Sequence, residues 1–458
     1  MTTRAAAEHT GLTGQGPVRA GLVLVICCAS IFVVVLDASI VNVALPAIGR
    51  DLKAGAQSMQ WVVDGYTLTL GSFLISSGVL ADRGGRRRFF RYGLALFGSS
   101  SLLCGFAPTV HVLLAARVLQ GVGGSMLNPV ALGIITNAYT DPAKRARALG
   151  VWGAVLGVAM ALGPGLGGVL VDNIGWQAIF WVNVPVCAVV LWATRFLPES
   201  FGDRSRRLDV LGQGLVVVSM FLLVLAITQL PNLGFRSLWT GAAFGLFLLC
   251  AAAAGLCMAR SPQPFVDLRA FRSPPYAAAN LCGACASLGL GALVFTVSLY
   301  LQGCVGESAS LAGSHLLLMA TGTFLSSSLS SRAVVRFGPS APLFVGGVGV
   351  LLAGLVMLAQ EPPSPGRVLA GAGAFGVGIG LVNAPVAGMA VTGMGANTGA
   401  AAGVVSTCRQ LGMSIGVALA GSVSDAPRGH VAPSWITLCA CGALICAAAA
   451  WLWARPGA

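Results

Sequence analysis

Charge is what this 458-residue sequence lacks. Only 9% of its residues are Asp, Glu, Lys or Arg, and 56% are hydrophobic. A soluble domain needs roughly 25% charged residues to cover its surface, so most of this surface faces lipid or other helices. Lysine is nearly missing, with Lys53 and Lys144 alone. The abundance of arginine, alanine and glycine instead suggests a GC-rich bacterial genome. No phosphate-binding loop of the G-x-x-x-x-G-K type and no H-E-x-x-H pair occurs. The chain is read as carrying no ATPase, serine-hydrolase or zinc-hydrolase site. It is not expected to be an enzyme, and no metal or cofactor is expected.

The thirteen cysteines do not form a disulfide framework on paper. Most fall inside apolar stretches, where a thiol acts as a small hydrophobe. Cys282 and Cys285 make a CxxC without a second pair or a histidine cluster, so a metal or redox role is not expected. The formal charge of +13 invites a nucleic-acid partner, but the arginines lie in short gaps between apolar runs. That arrangement sets membrane topology, and no nucleic-acid binding is expected.

What the sequence has is apolar runs of membrane length. They fall at about 20–46, 58–81, 89–107, 110–138, 146–171, 176–198, 209–230, 238–259, 275–302, 309–331, 341–359, 366–391, 398–423 and 433–454, each near the roughly 20 residues a spanning helix requires. Fourteen spans put both ends on one side. With that parity, twenty of the 27 Lys and Arg residues fall on one side. Arg50, Lys53, Arg236, Arg367 and Arg428 fall on the other, while Arg117 and Arg409 lie within or at the end of helices. The bias predicts cytoplasmic termini in a multi-pass protein of the bacterial cytoplasmic membrane. Residues 1–19 read as a cytoplasmic tail and 20–198 as a first bundle of six helices. Residues 199–274 read as a linker with two extra spans, and 275–458 as a second six-helix bundle.

The densest basic connector is Gly78–Arg91, GVLADRGGRRRFFR. Asp82 lies four residues before Arg86, within pairing distance on a helix, and glycines allow the reversal. Arg332–Gly338 echoes this connector in the second half but lacks the acid. Within the spans, Asp37 and Arg117 fall at similar depths, about 13 and 10 Å from the same membrane face at 1.5 Å per residue. An ionisable group inside a span usually meets a partner or water. Asp37 is therefore either one side of a structural ion pair or a proton or cation site tuned by Arg117. Asp64 is a third charge, expected near the interface and more structural than functional. Glu307 and His315 are isolated candidates for a second proton site. Gly153/Gly157 and Gly163/Gly167 repeat a GxxxG spacing for close helix packing, and Pro164 favours a kink.

Several of these stretches resemble known transporter motifs. Gly78-x-Leu80-Ala81-Asp82-Arg83-x-Gly85-Arg86-Arg87 resembles the loop between helices 2 and 3 of major facilitator superfamily transporters. Arg117-Val118-Leu119-Gln120-Gly121 is similar to that superfamily's helix 4 motif, associated with proton coupling. Gly163-Pro164-x-x-Gly167-Gly168 resembles the antiporter motif of its drug exporters. Together with Trp176-x-x-Ile179-Phe180-x-x-Asn183-x-Pro185, it points to the fourteen-helix drug:proton antiporter branch. Arg409-Gln410-Leu411-Gly412 resembles the start of helix 13 in that branch.

The resemblance implies an all-α polytopic membrane protein of the major facilitator fold, two six-helix bundles plus two linker helices. It implies proton-coupled efflux of a small amphipathic drug or antibiotic by alternating access, in a protein functional as a monomer. Its partners are then protons, the substrate and the lipid bilayer. Asp37, Arg117 and Asp64 would couple protons. Gly78, Asp82, Arg83, Gly85, Arg86 and Arg87 would gate, and Gly157, Gly163, Pro164, Gly167 and Gly168 form the antiporter motif. Trp61, Tyr66, Asn42, Gln120 and Tyr300 are the substrate-binding candidates. A proton-coupled importer would share the fold but not need the G-P-x-x-G-G stretch. A membrane sensor of the same fold would tolerate loss of Asp37 and Arg117.

Overall fold

A computed structural model describes residues 17–139, 141–201, 209–233, 237–261, 268–392 and 398–454. Every expected span is helical. The first half holds α1 (Pro17–Asp51), α2 (Ala56–Gly84), α3 (Arg86–Gly105), α4 (Val110–Ala138) and α5 (Pro142–Asn173). The sixth span is α6 (Ala178–Trp181) followed at once by α7 (Asn183–Ala193). Next come α8 (Val210–Leu233) and α9 (Leu238–Arg260). The second half holds α10 (Pro274–Tyr300), α11 (Ala309–Phe337), α12 (Ser340–Leu358), α13 (Pro365–Thr392), α14 (Thr398–Val423) and α15 (Ala432–Trp453). Backbone groups within a bilayer must bond inside their own segment, which leaves helix as the form these runs can take.

Among the described residues, nine helices are long and apolar enough to cross a membrane. The expected spans outside that set are α2, α3, α5, α11 and α14. In α2 and α11, serine, threonine and glycine alternate with apolar residues, as suits helices that face protein as well as lipid. Several helices also outrun their apolar stretch. α1 continues through Pro46 to Asp51, and α11 continues past Arg332 to Phe337. A helix does not stop where the bilayer does, so apolarity alone understates its length.

In the first half, α1 packs on α4 and α5, α2 and α3 pack on α4, and α7 packs on α3. In the second, α10 packs on α14, α11 on α13, and α12 on α13 and α15. Two seams join the halves: α5 against α11, and α2 against α14. Helices α8 and α9 pair with each other, and α8 also rests on α2 and α14. The 202–208 part of the expected 199–208 boundary lies outside the described residues, as does most of the 1–19 tail.

The two cores show where the halves meet. The larger one runs from Ile40–Ile48 and Met59–Val63 of the first half into Ala279–Leu301, Ala309–Met319 and Leu343–Ala449 of the second. Its first-half part lies at the end opposite Gly85, while in the second half it runs the length of the helices. Towards the Gly85 end, the first half keeps a core of its own, from Val23–Val34, Tyr66–Ala81, Phe90–Phe97 and Leu127–Ile135. Lipid tails are as apolar as these side chains, so dispersion packing rather than exclusion of water holds the helices together.

Candidate functional site

Asp37 and Arg117 form a buried ion pair. Their side chains are fully excluded from solvent, with Arg117 Nη1 donating to Asp37 Oδ2 at 2.6 Å. Arg117 Nη1 also donates to Gln120 Oε1 at 2.7 Å, and Nε donates to the Val62 carbonyl at 3.1 Å. The guanidinium carbon stands 4.2 Å from the centre of the Tyr66 ring, whose hydroxyl donates to the Val34 carbonyl. Asp37 Oδ1 accepts from Gln120 Nε2 and from Asn183 Nδ2, both at 2.8 Å. Ser101 Oγ accepts from the same two amides. One acid, one base, two amides and a hydroxyl thus tie α1, α3, α4 and α7 together. A buried pair of this kind is tolerable only when further hydrogen bonds satisfy it, and Asp37 has three donors.

Asp64 differs. It was expected near the interface, but its side chain is fully buried. It lies on the face of α2 that meets α14, between Gln60 and Thr67, one turn away on either side. Gln60 donates to the Ala418 carbonyl at 3.3 Å, and Thr67 shares a 2.6 Å hydrogen bond with Ser414. Neither carboxylate oxygen of Asp64 meets a donor in good hydrogen-bond geometry among the described residues, although the Ser414 hydroxyl stands beside it. Ser414 also stands in a G-x-S-x-G spacing, Gly412 to Gly416. It lies inside α14 rather than on a strand-to-helix elbow, and its hydroxyl is engaged with Thr67. The match is therefore to spacing alone.

The substrate-binding candidates do not converge. Trp61 stacks on Phe221 of α8 at 6.5 Å, turned towards the linker helices. Tyr66 and Gln120 belong to the Arg117 network. Asn42 folds back onto the Ala38 carbonyl of its own helix. Tyr300 donates to the Pro363 carbonyl at 2.6 Å inside the second half. Of the second-site candidates, His315 Nδ1 lies 3.7 Å from Glu307 Oε2, which places the two side chains together.

The residues expected to gate lie within the first half. Arg86 Nε donates to Asp82 Oδ1 at 2.8 Å, and Nη1 donates to the Gly133 carbonyl of α4 at 2.9 Å. Arg87 donates its backbone N–H to Glu199 Oε1 and its Nη1 to the Leu197 carbonyl. Gly85 sits at φ 102° between α2 and α3, and Gly338 at φ 75° repeats this between α11 and α12. A Cβ on Gly85 would also lie 2.9 Å from Glu199 Oε1. Gly85→Ala should therefore cost about 1–3 kcal/mol. A thermal-unfolding comparison in one detergent checks this. Gly78 needs no such exception, since a Cβ there meets Pro129 at an ordinary 3.5 Å, and Arg83 is exposed.

The antiporter stretch lies between two helices. A Cβ on Gly163 would collide with Ser39 Oγ of α1, and one on Gly167 would lie 2.7 Å from Ile40. On the other side, a Cβ on Gly168 would lie 2.5 Å from the Ser310 Cα of α11, where Gly313 meets the Pro164 carbonyl. Asp172 then accepts from both the N–H and the hydroxyl of Ser310. Helix α5 continues through Pro164. The packing of Gly157 lies outside the described residues. Gly168→Val should destabilise the protein by about 1–3 kcal/mol through overpacking against backbone, read as a lowered Tm. Asp172 was not picked out from the sequence. Neither was Gln302, which donates to the Val43 carbonyl across the halves at 3.0 Å. Isolated polar residues near helix ends carry no local signal of a distant partner.

The sequence profile of the Major Facilitator Superfamily matches residues 27–417. The chain belongs to that superfamily. It is 35% identical over 409 residues to "Multidrug resistance protein Stp" of Mycobacterium tuberculosis (strain ATCC 25618 / H37Rv), covering 88% of this chain and 75% of that one. It is 35% identical over 409 residues to "Puromycin resistance protein pur8" of Streptomyces alboniger, covering 88% and 81%. A third relative, "Tetracenomycin C resistance and export protein" of Streptomyces glaucescens, is 32% identical over 418 residues, covering 90% and 77%. The solved structure of the human organic anion transporter MFSD10 (TETRAN) superposes with a TM-score of 0.65 at 16% identity, covering 96% of this chain and all of that one. That likeness concerns the fold. The protein is a multi-pass membrane transporter of the major facilitator superfamily and not an enzyme.

Proposed function

We propose that this major facilitator transporter exports a small amphipathic organic compound of the drug or antibiotic class, in exchange for protons, by alternating access. Asp64 is the observation that carries the coupling. It is buried at the α2–α14 seam between the halves with neither oxygen in a well-formed hydrogen bond. An ionised carboxylate buried without such a bond is strongly disfavoured, so this packing suits the neutral acid. Rocking the halves apart along the seam would bring water to Asp64 and let the proton leave.

Asp37 has a different part in this reading. Its oxygens already accept from Arg117, Gln120 and Asn183, so it holds the first half rigid while the seam moves. The relatives' names, multidrug resistance and antibiotic export, support drug export as the direction. The sealed contacts of Gly163–Gly168 support a leak-tight exchange rather than a channel.

The test is transport in everted membrane vesicles with an acid interior, adding candidate dyes and antibiotics and following internal pH. Proton release on addition of a compound, with uptake of that compound into the vesicle, is the expected result. Uptake that leaves internal pH unchanged would remove the antiport reading while leaving export standing.

A further inference from the structure

We propose that a cavity on the flank of the first half, between α3 and α7, holds the phosphate of an anionic phospholipid headgroup. The cavity is a half-open recess of about 540 Å³, lined by Arg87, Arg88, Arg91, Tyr92, Leu191 and Glu199. That is ample for a glycerophosphate headgroup. Three guanidinium groups meet one carboxylate there, and the carboxylate is engaged. Glu199 Oε1 accepts the backbone N–H groups of Arg87 and Ser200, at 2.9 and 3.3 Å. Arg88 donates Nε to the Tyr92 hydroxyl at 2.9 Å. Among the described residues, neither Arg88 nor the exposed Arg91 forms an ion pair within 4 Å, and Glu199 acts on Arg88 only from farther away. Paired guanidinium forks suit phosphate oxygens.

The position favours a lipid over a soluble ion. The cavity opens on the outer flank, away from the α2–α14 and α5–α11 seams. Leu191 and Ala95 continue its wall as apolar surface along the α3–α7 groove, where an acyl chain would lie. Next to it, Trp192 and Phe196 are 58% and 48% exposed, and the Arg195 guanidinium stacks 3.5 Å over the Trp192 ring. Exposed aromatic and cationic residues together mark the headgroup level of a bilayer. A basic pocket between spans at that level matches anionic headgroups.

The purified protein would be titrated with palmitoyl-oleoyl phosphatidylglycerol or phosphatidylcholine, and the bound lipid read by native mass spectrometry. The comparison is wild type against Arg88→Ala/Arg91→Ala, two residues outside the gating and coupling sets. Wild type is expected to retain phosphatidylglycerol over phosphatidylcholine. The double variant should lose that retention by on the order of thirtyfold, as for two cations removed from an anionic lipid surface. Thermal unfolding of both proteins in phosphatidylcholine alone checks that the variant is folded. Equal retention of the two lipids, or equal phosphatidylglycerol retention by a folded variant, overturns the proposal. So does displacement of the lipid by millimolar inorganic phosphate, which would make a free ion the ligand.

Discussion

Asp64→Asn is expected to abolish compound-driven proton release in everted vesicles while leaving a folded protein. The carboxyl and the amide have nearly the same volume, and neither oxygen meets a donor in good hydrogen-bond geometry among the described residues. Of the neighbouring polar groups, Gln60 is committed to the Ala418 carbonyl, while the Ser414 hydroxyl that meets Thr67 also stands beside Asp64. The substitution adds amide N–H donors to a fully buried site, so a loss of about 1–3 kcal/mol is expected, less than the stability of a typical folded domain. An amide has no proton to release when the seam opens, so each cycle loses its coupling step. The compound should still bind, because binding does not require the released proton. Undiminished proton release by the variant would sink Asp64 as the coupling acid and direct attention to Glu307 and His315.

Arg117→Ala should behave in the opposite way, with a large loss of stability. Removing one member of a buried ion pair costs about 3–5 kcal/mol, because the remaining charge is stranded. Here Asp37 would keep its two amide donors but lose its counter-charge at 2.6 Å, and Tyr66 would lose the cation on its ring. A marked drop in Tm and poor recovery from the membrane are expected. Pairing it with Asp37→Asn should return part of the loss, since no charge is then left unpaired. The same logic explains why Asp37→Asn alone is a poor test of coupling. It strands Arg117 and would abolish transport through structure, whatever carries the proton. A stable, fully active Arg117→Ala protein would contradict the structural role given to the pair.

The contrast between these two acids shows how far the sequence reaches. On the sequence, depth sets Asp37 level with Arg117 as one side of a candidate ion pair, and places Asp64 near the interface. In the fold, Asp37 gains donors from residues 80, 83 and 146 positions away, while Asp64 meets a helix more than three hundred residues distant and has only the Ser414 hydroxyl beside it, without a well-formed hydrogen bond. Depth within the spans could bring Asp37 level with Arg117, but nothing local reports the amides of Gln120 and Asn183 or the burial of Asp64. Asp82 and Arg86 are the opposite case. They are four residues apart, and the structure keeps them paired as their spacing indicates.

What the sequence by itself determined is the all-helical, membrane-spanning architecture, the places of its helices and the family. Apolar runs of bilayer length leave helix as the form that satisfies every backbone group, and the basic connectors and glycine spacings are written in contiguous residues. What only the tertiary structure decided is which charges are satisfied and which are not, and where aromatic side chains face. Trp61 turned to α8, Tyr300 to Pro363, and Asp172 reached across to Ser310. Those outcomes depend on how helices far apart in the chain rotate against one another, because a hydrogen bond or an ion pair is won only at contact distance.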